Sequence, residues 1–162
     1  MTKLSLRHRV EYEYIRKLAI ECHALDLAAH TLLRDGTHSP SRSTEMAYEE
    51  LITEKFLTLA ITLRTKFYQG IPDDETAKYV VECGFLDDNP DGERCPRSFT
   101  IKDICDKLIH ADRVERRFTN SEDGLVTIIN GTQRKNKHWR LTISMSLFSE
   151  AVLNWIDDRP DA

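Results

Sequence analysis

The chain has no run of about 20 consecutive apolar residues, the length a helix needs to cross a bilayer. Its opening stretch, MTKLSLRHRVEYEY, lacks the apolar region of a signal peptide. These two absences lead to the expectation of a cytoplasmic protein with no membrane association. Cysteine is scarce: Cys22, Cys83, Cys95 and Cys105 form no C-x-x-C pair, and in a reducing compartment they read as free thiols. Only Cys83 and Cys95, flanking a Gly/Asp/Pro stretch, are placed to pair. The patterns H-E-x-x-H, Walker A, G-x-G-x-x-G and G-x-S-x-G are absent. The commonest metalloprotease, nucleotide-binding and hydrolase signatures are therefore missing, and neither cofactor nor metal is expected. No internal repeat or low-complexity segment is present.

What the sequence does hold suits one globular domain over residues 1–162, with 40 % hydrophobic and 31 % charged residues. The formal charge of −4 makes no global case for nucleic acid. Its distribution is uneven, however. Residues 113–140 carry seven bases (Arg113, Arg116, Arg117, Arg134, Lys135, Lys137, Arg140) against three acids, which leaves the remaining chain at −8. Such asymmetry marks either a basic contact surface on an acidic body or a solvated hairpin.

The apolar spacing predicts a mainly α fold: a helical bundle with a small antiparallel β-meander, at about 113–144, inserted before the last helix. Residues 10–34 carry apolar groups at three- and four-residue steps from Ile15 to Leu33. Ile20, Ala24, Leu27 and Ala28 widen that stripe, so the middle of this helix is expected at the centre of the bundle. A second helix is expected from Thr44 to Gln69, with Ser43 as N-cap and Gly70 and Pro72 beyond its end. DDETAKYVVECG suggests a short helix over 74–83, and FLDDNPDGERCPRS a loop. FTIKDICDKLIHAD then reads as a helix capped by Thr100, with Asp103 three residues on. VERRF, LVTIIN and HWRLTIS have the β-branched and aromatic character of strands, and residues 146–157 form a final amphipathic helix.

Four constellations carry possible chemistry. Asp106 and His110, four residues apart on a helix, can meet on its surface, as a general acid/base pair or as an ordinary surface pair. Arg64 falls on the otherwise apolar or aromatic line Leu57, Ile61, Arg64, Tyr68. A guanidinium there needs an acid, and Asp106 or Asp103 would supply it. The cluster Arg64–Asp106–His110 then either holds a phosphate or fixes helix register. His23, Asp26 and His30 share a helix face, but the two histidines lie about 10.5 Å apart along the axis. That is too far for easy ligation of one metal, so a solvated polar stripe is expected. Finally, QRKNKHWR joins bases to Trp139, as single-strand nucleic-acid surfaces do. A strand-borne Trp139 is equally suited to the core, and that is the expectation.

The helix CDKLIHAD, with TLAITLRTKFYQ before it and GTQRKNKHWRLTISMSLFSEAVLNW after it, is similar to uncharacterised bacterial proteins resembling the HEPN superfamily. These are small helical bundles of defence, abortive-infection and toxin–antitoxin systems. The resemblance touches three segments between about residues 57 and 156. In active members an arginine, a polar residue and a histidine on one helix serve metal-independent RNA cleavage, usually at a dimer interface. Here His110 matches the histidine and Asp106 the polar residue, while the arginine position falls on Cys105. A thiol supplies no fixed positive charge for a phosphate. The resemblance thus implies a degenerate, non-catalytic module that binds a protein partner such as a toxin, as an immunity protein, antitoxin or defence accessory. Two alternatives stand beside it: a metal-independent ribonuclease using His110 with Arg64, as a monomer or homodimer, and an RNA binder. The surface for nucleic acid or for a partner would be Arg116, Arg134, Lys135, Lys137 and Arg140.

Overall fold

The first helix, α1 (Tyr12–Leu33), buries Ile15, Leu18, Ala19, Cys22 and Ala29 along one side. In this computed structural model the described residues are 9–33, 40–69, 80–81, 84–87, 99–118, 125–133 and 137–159. The stripe on α1 is narrower than the sequence suggests. Ile20, Ala24, Leu27 and Ala28 are exposed, because only the sides of α1 facing its two neighbours are covered.

The second helix, α2 (Arg42–Tyr68), is capped by Ser41, whose side chain accepts from the Thr44 amide. The expected cap, Ser43, lies inside the helix. The hydroxyl two residues earlier takes the orphan amide instead. Ile52, Phe56, Leu59 and Leu63 of α2 are fully or almost fully buried. Lys66 is buried too, donating from Nζ to the Val10 carbonyl at 2.8 Å and lying 3.8 Å from the Tyr12 ring centre. A buried ammonium needs such partners.

Two short strands, β1 (Val80–Val81) and β3 (Phe99–Thr100), pair antiparallel. Residues 80–81 therefore end in a strand and not in the helix expected over 74–83, whose other residues lie outside the described set. Strand β2 (Gly84–Asp87) falls where a loop was expected. It pairs with the free edge of the meander, and edge pairing overrides a weak local preference. Helix α3 (Ile101–Ile109) has the capping box read from sequence: Thr100 Oγ1 accepts from the Asp103 amide, and Asp103 accepts from the Thr100 amide. Ile101, Ile104, Cys105 and Leu108 form its buried side.

The meander follows as expected: β4 (Arg113–Phe118), β5 (Leu125–Gln133) and β6 (Lys137–Ile143). With β2 they make a four-stranded antiparallel sheet of order β2-β6-β5-β4. Helix α4 (Met145–Asp157) closes the chain, capped by Ser144. The fold is mainly α with a minor sheet, and no described helix is long and apolar enough to cross a membrane.

The core lies where α1, α2, α3 and α4 meet the inner sheet face. Trp155 is enclosed by Phe67 (ring centres 5.2 Å apart) and Tyr12 (5.7 Å), and Phe56 meets Phe148 edge-on at 5.4 Å. Buried aromatics at such separations add about 0.5–1.5 kcal/mol per pair beyond their area.

Candidate functional site

At the α2–α3 seam the Arg64 guanidinium is ion-paired to Asp106, the partner its apolar line demanded. Its other terminal nitrogen donates to the Tyr68 hydroxyl at 3.0 Å, and the guanidinium carbon lies 5.4 Å from the Tyr68 ring centre. Lys102 Nζ stands 5.9 Å from that ring. The positive charge that a phosphate would require is therefore already opposed by a carboxylate. Cys105 is completely buried on the inner side of α3. Burial pushes its thiol well above the ordinary range, with nearby Arg64 pulling the other way.

His110 does not complete the triad. Helix α3 ends at Ile109 with His110 as its C-cap, and the Asp106 carboxylate is turned to Arg64. The backbone amide of His110 donates to the Asp106 carbonyl at 3.2 Å. No hydrogen bond or ion pair between the two side chains occurs among the described residues, and the imidazole is exposed. The structure joins Arg64 to Asp106 and leaves His110 outside.

The basic surface divides in the same way. Alternation along β4 turns Arg116 inward, where its guanidinium meets Asp26 of α1 and donates to the Tyr48 hydroxyl at 2.6 Å. Asp26 also accepts from the amide and hydroxyl of Ser146, at 3.0 and 2.5 Å. Arg116 is thus a buried tie between α1, α2, β4 and the start of α4, not part of an exposed surface. Asp26, expected on a solvated stripe, is buried for the same reason. His23 lies 3.8 Å from Glu150, and the His30 side chain lies outside the described set. No cluster of three metal-ligating side chains occurs among the described residues.

On the outer sheet face Arg113 and Arg117 both bind Glu115, at 2.9 and 2.8 Å. The Arg117 hydrogen bond holds the Glu115 carboxyl below its usual range, and Arg113, Arg117 and Arg140 add to this by charge. Arg140 is exposed, and its Nε donates to Asn130 at 3.1 Å. Lys137 opens β6, while Arg134 and Lys135 lie outside the described residues. Trp139 points inward and is buried, as expected. Lys107 Nζ lies 4.3 Å from its ring centre. The ring is thus unavailable for stacking a base.

Sequence reasoning missed two concave places. One is an apolar groove of about 460 Å³ between α1 and α2, lined by Leu25, Ala28, Leu32, Ala47, Tyr48 and Leu51 with Ser43 and Thr44. Helical spacing shows that these residues share faces, but not that nothing covers them. The other is a polar basin of about 270 Å³ bordered by Asp112, Asn130, Thr132, His138 and Arg140. The alternation of β5 and β6 placed its strand residues on one face, and only the register of the sheet brings Asp112 to them. Compared with protein-family models, curated proteins and solved structures, the chain finds no match.

Proposed function

We propose that this chain is a non-catalytic protein-binding module that seats an apolar helix of a partner protein in the α1–α2 groove. The observation that carries this reading is the groove itself. It is open, almost wholly apolar, and keeps Leu32 and Leu51 at 44 % and 42 % exposure. Apolar grooves between parallel-running faces are what amphipathic helices bury against. Glu50 and Glu54, one turn apart on the solvent side of α2 next to Leu51, favour basic residues on that helix's polar side. The closed Arg64–Asp106 pair and the buried Cys105 support a role without catalysis. The resemblance to HEPN bundles adds the class of partner, a toxin or another component of a defence system.

The test uses a synthetic amphipathic helix of leucine and lysine, with a glutamate-for-lysine version as comparison, titrated by calorimetry. The basic peptide is expected to bind more tightly than the acidic one and to lose at least tenfold in affinity against Leu51→Glu. Equal binding to the Leu51→Glu chain, or no binding of either peptide, overturns the reading.

A further inference from the structure

We propose that the polar basin on the outer face of the four-stranded sheet binds a phosphoryl group, with Arg140 and His138 as its direct ligands. The case begins with sheet geometry. Asn130, Thr132, His138 and Arg140 alternate with the buried Ile129, Gly131, Trp139 and Leu141, so all four stand on the solvent side. They form two cross-strand pairs, Asn130 opposite Arg140 and Thr132 opposite His138. Residues two apart on a strand project about 6.8 Å from one another. An anion resting between His138 and Arg140 meets both.

The second point is that both head groups are held by neutral partners. Arg140 is fixed through Nε by the Asn130 amide oxygen, which leaves its two terminal nitrogens free to form a fork. Arg64, Arg116, Arg113 and Arg117 are instead all engaged by carboxylates. Arg140 is positioned and makes no ion pair among the described residues, although Asp87 stands opposite it on β2 and its charge also acts on Glu115.

The third point concerns the imidazole. Thr132 Oγ1 lies 2.8 Å from Asp112 Oδ2 and 3.3 Å from His138 Nδ1. An ionised carboxylate only accepts, so the Thr132 proton goes to Asp112. The Thr132 oxygen then accepts from Nδ1–H of His138, which leaves Nε2 as the ring's available atom. Asp112 is itself anchored, since its amide donates to the Asn130 carbonyl at 2.8 Å. The chain Asp112–Thr132–His138 orients the ring.

Free phosphate, a nucleotide and a nucleic-acid strand all present this chemistry. Amide and imidazole resonances followed by NMR at constant ionic strength separate them, with inorganic phosphate, adenosine 5′-monophosphate and a short single-stranded RNA as probes. Saturable shifts centred on Asn130, His138 and Arg140 are expected with phosphate and the monophosphate. Tighter binding of the monophosphate would identify a nucleotide as the source, and tighter binding of the RNA a strand. Arg140→Gln and His138→Gln should each weaken binding about tenfold, the scale of one charge-assisted contact. Arg117→Gln, away from the basin, should leave it within twofold. Absence of saturable shifts with all three probes overturns the site. Binding of the RNA alone, or affinity unchanged in Arg140→Gln, overturns it equally. The groove variant Leu51→Glu should bind phosphate normally, so this site and the protein-binding groove stand or fall separately.

Discussion

Asp26 on α1 and Arg116 on β4 form an ion pair in which both side chains are 7 % exposed. The pair bridges the sheet to the bundle, with Tyr48 and Ser146 completing its hydrogen bonds. Removing one member of such a pair strands the other charge away from water, at a cost of about 3–5 kcal/mol. Asp26→Ala is expected to lose that much unfolding free energy in urea, followed by circular dichroism. Asp26→Leu combined with Arg116→Leu should recover a large part of it, because no charge is then left unpaired. A single-variant loss below about 1 kcal/mol would show that the pair is not integral to the fold.

Gly131 faces Trp139 across the β5–β6 ladder. A Cβ built at Gly131 runs into the indole ring, so the glycine is what lets the ring lie flat on the inner sheet face. Gly131→Ala must displace the ring or bend the strand. The expected destabilisation is about 1–3 kcal/mol, the usual range for overpacking. A changed tryptophan emission should accompany it, since Lys107 also packs on that ring. An alanine variant with unchanged midpoint and emission would refute the close approach.

The parts of this architecture that rest on local rules were readable in advance. The Thr100–Asp103 capping box needs only residues three apart, and the alternation of β4, β5 and β6 needs only period two. The partner of Arg64 was within reach because an arginine on an apolar line demands an acid on a neighbouring helix. Arg116 is the instructive contrast. Alternation alone puts it on the same side as Val114, but an inward arginine makes sense only with Asp26, ninety residues away in the chain. Strand β2 was hidden likewise, since what orders it is the exposed edge of β6 and not its own composition. The apolar groove and the polar basin both depend on what is left uncovered once the elements pack, which no periodicity reports.

Cys22 and Cys105 are free and fully buried. Burial is the main cause that raises the Cys22 thiol, to about 12, with Glu21 acting in the same direction and Lys55 against it. Cys105 is raised as well, again mainly by burial. An unfolded thiol ionises near about pH 8.5. The stabilisation from keeping these thiols protonated is therefore complete below that value. It declines as pH rises towards 12, because the unfolded chain releases protons that the native chain retains. Each thiol should cost about 1.4 kcal/mol of stability per pH unit in that window. Iodoacetamide at pH 8 should leave both peptides unmodified in the native chain and alkylate both in urea, as read by mass spectrometry. Rapid native labelling of either one would contradict their burial.

The ribonuclease alternative makes the opposite demand on His110. Metal-independent cleavage of a phosphodiester needs a base near the attacking hydroxyl and a fixed cation near the phosphate. Here the cation at the seam is Arg64, already closed on Asp106, and His110 caps α3 without joining either side chain. RNA incubated with the pure chain in EDTA is therefore expected to remain intact. His110→Ala should change stability by no more than about 0.5 kcal/mol, as an exposed substitution does, and should leave binding in the α1–α2 groove untouched. Asp106→Ala should cost about 1 kcal/mol by releasing Arg64 from a half-exposed pair, again with no change in RNA integrity. Cleavage that disappears in His110→Ala would reverse the reading and make the seam an active site. Cleavage that persists in that variant would point instead to His138 on the sheet, where the imidazole is held by Thr132 and the Arg140 guanidinium, fixed through Nε by Asn130, stands two residues away.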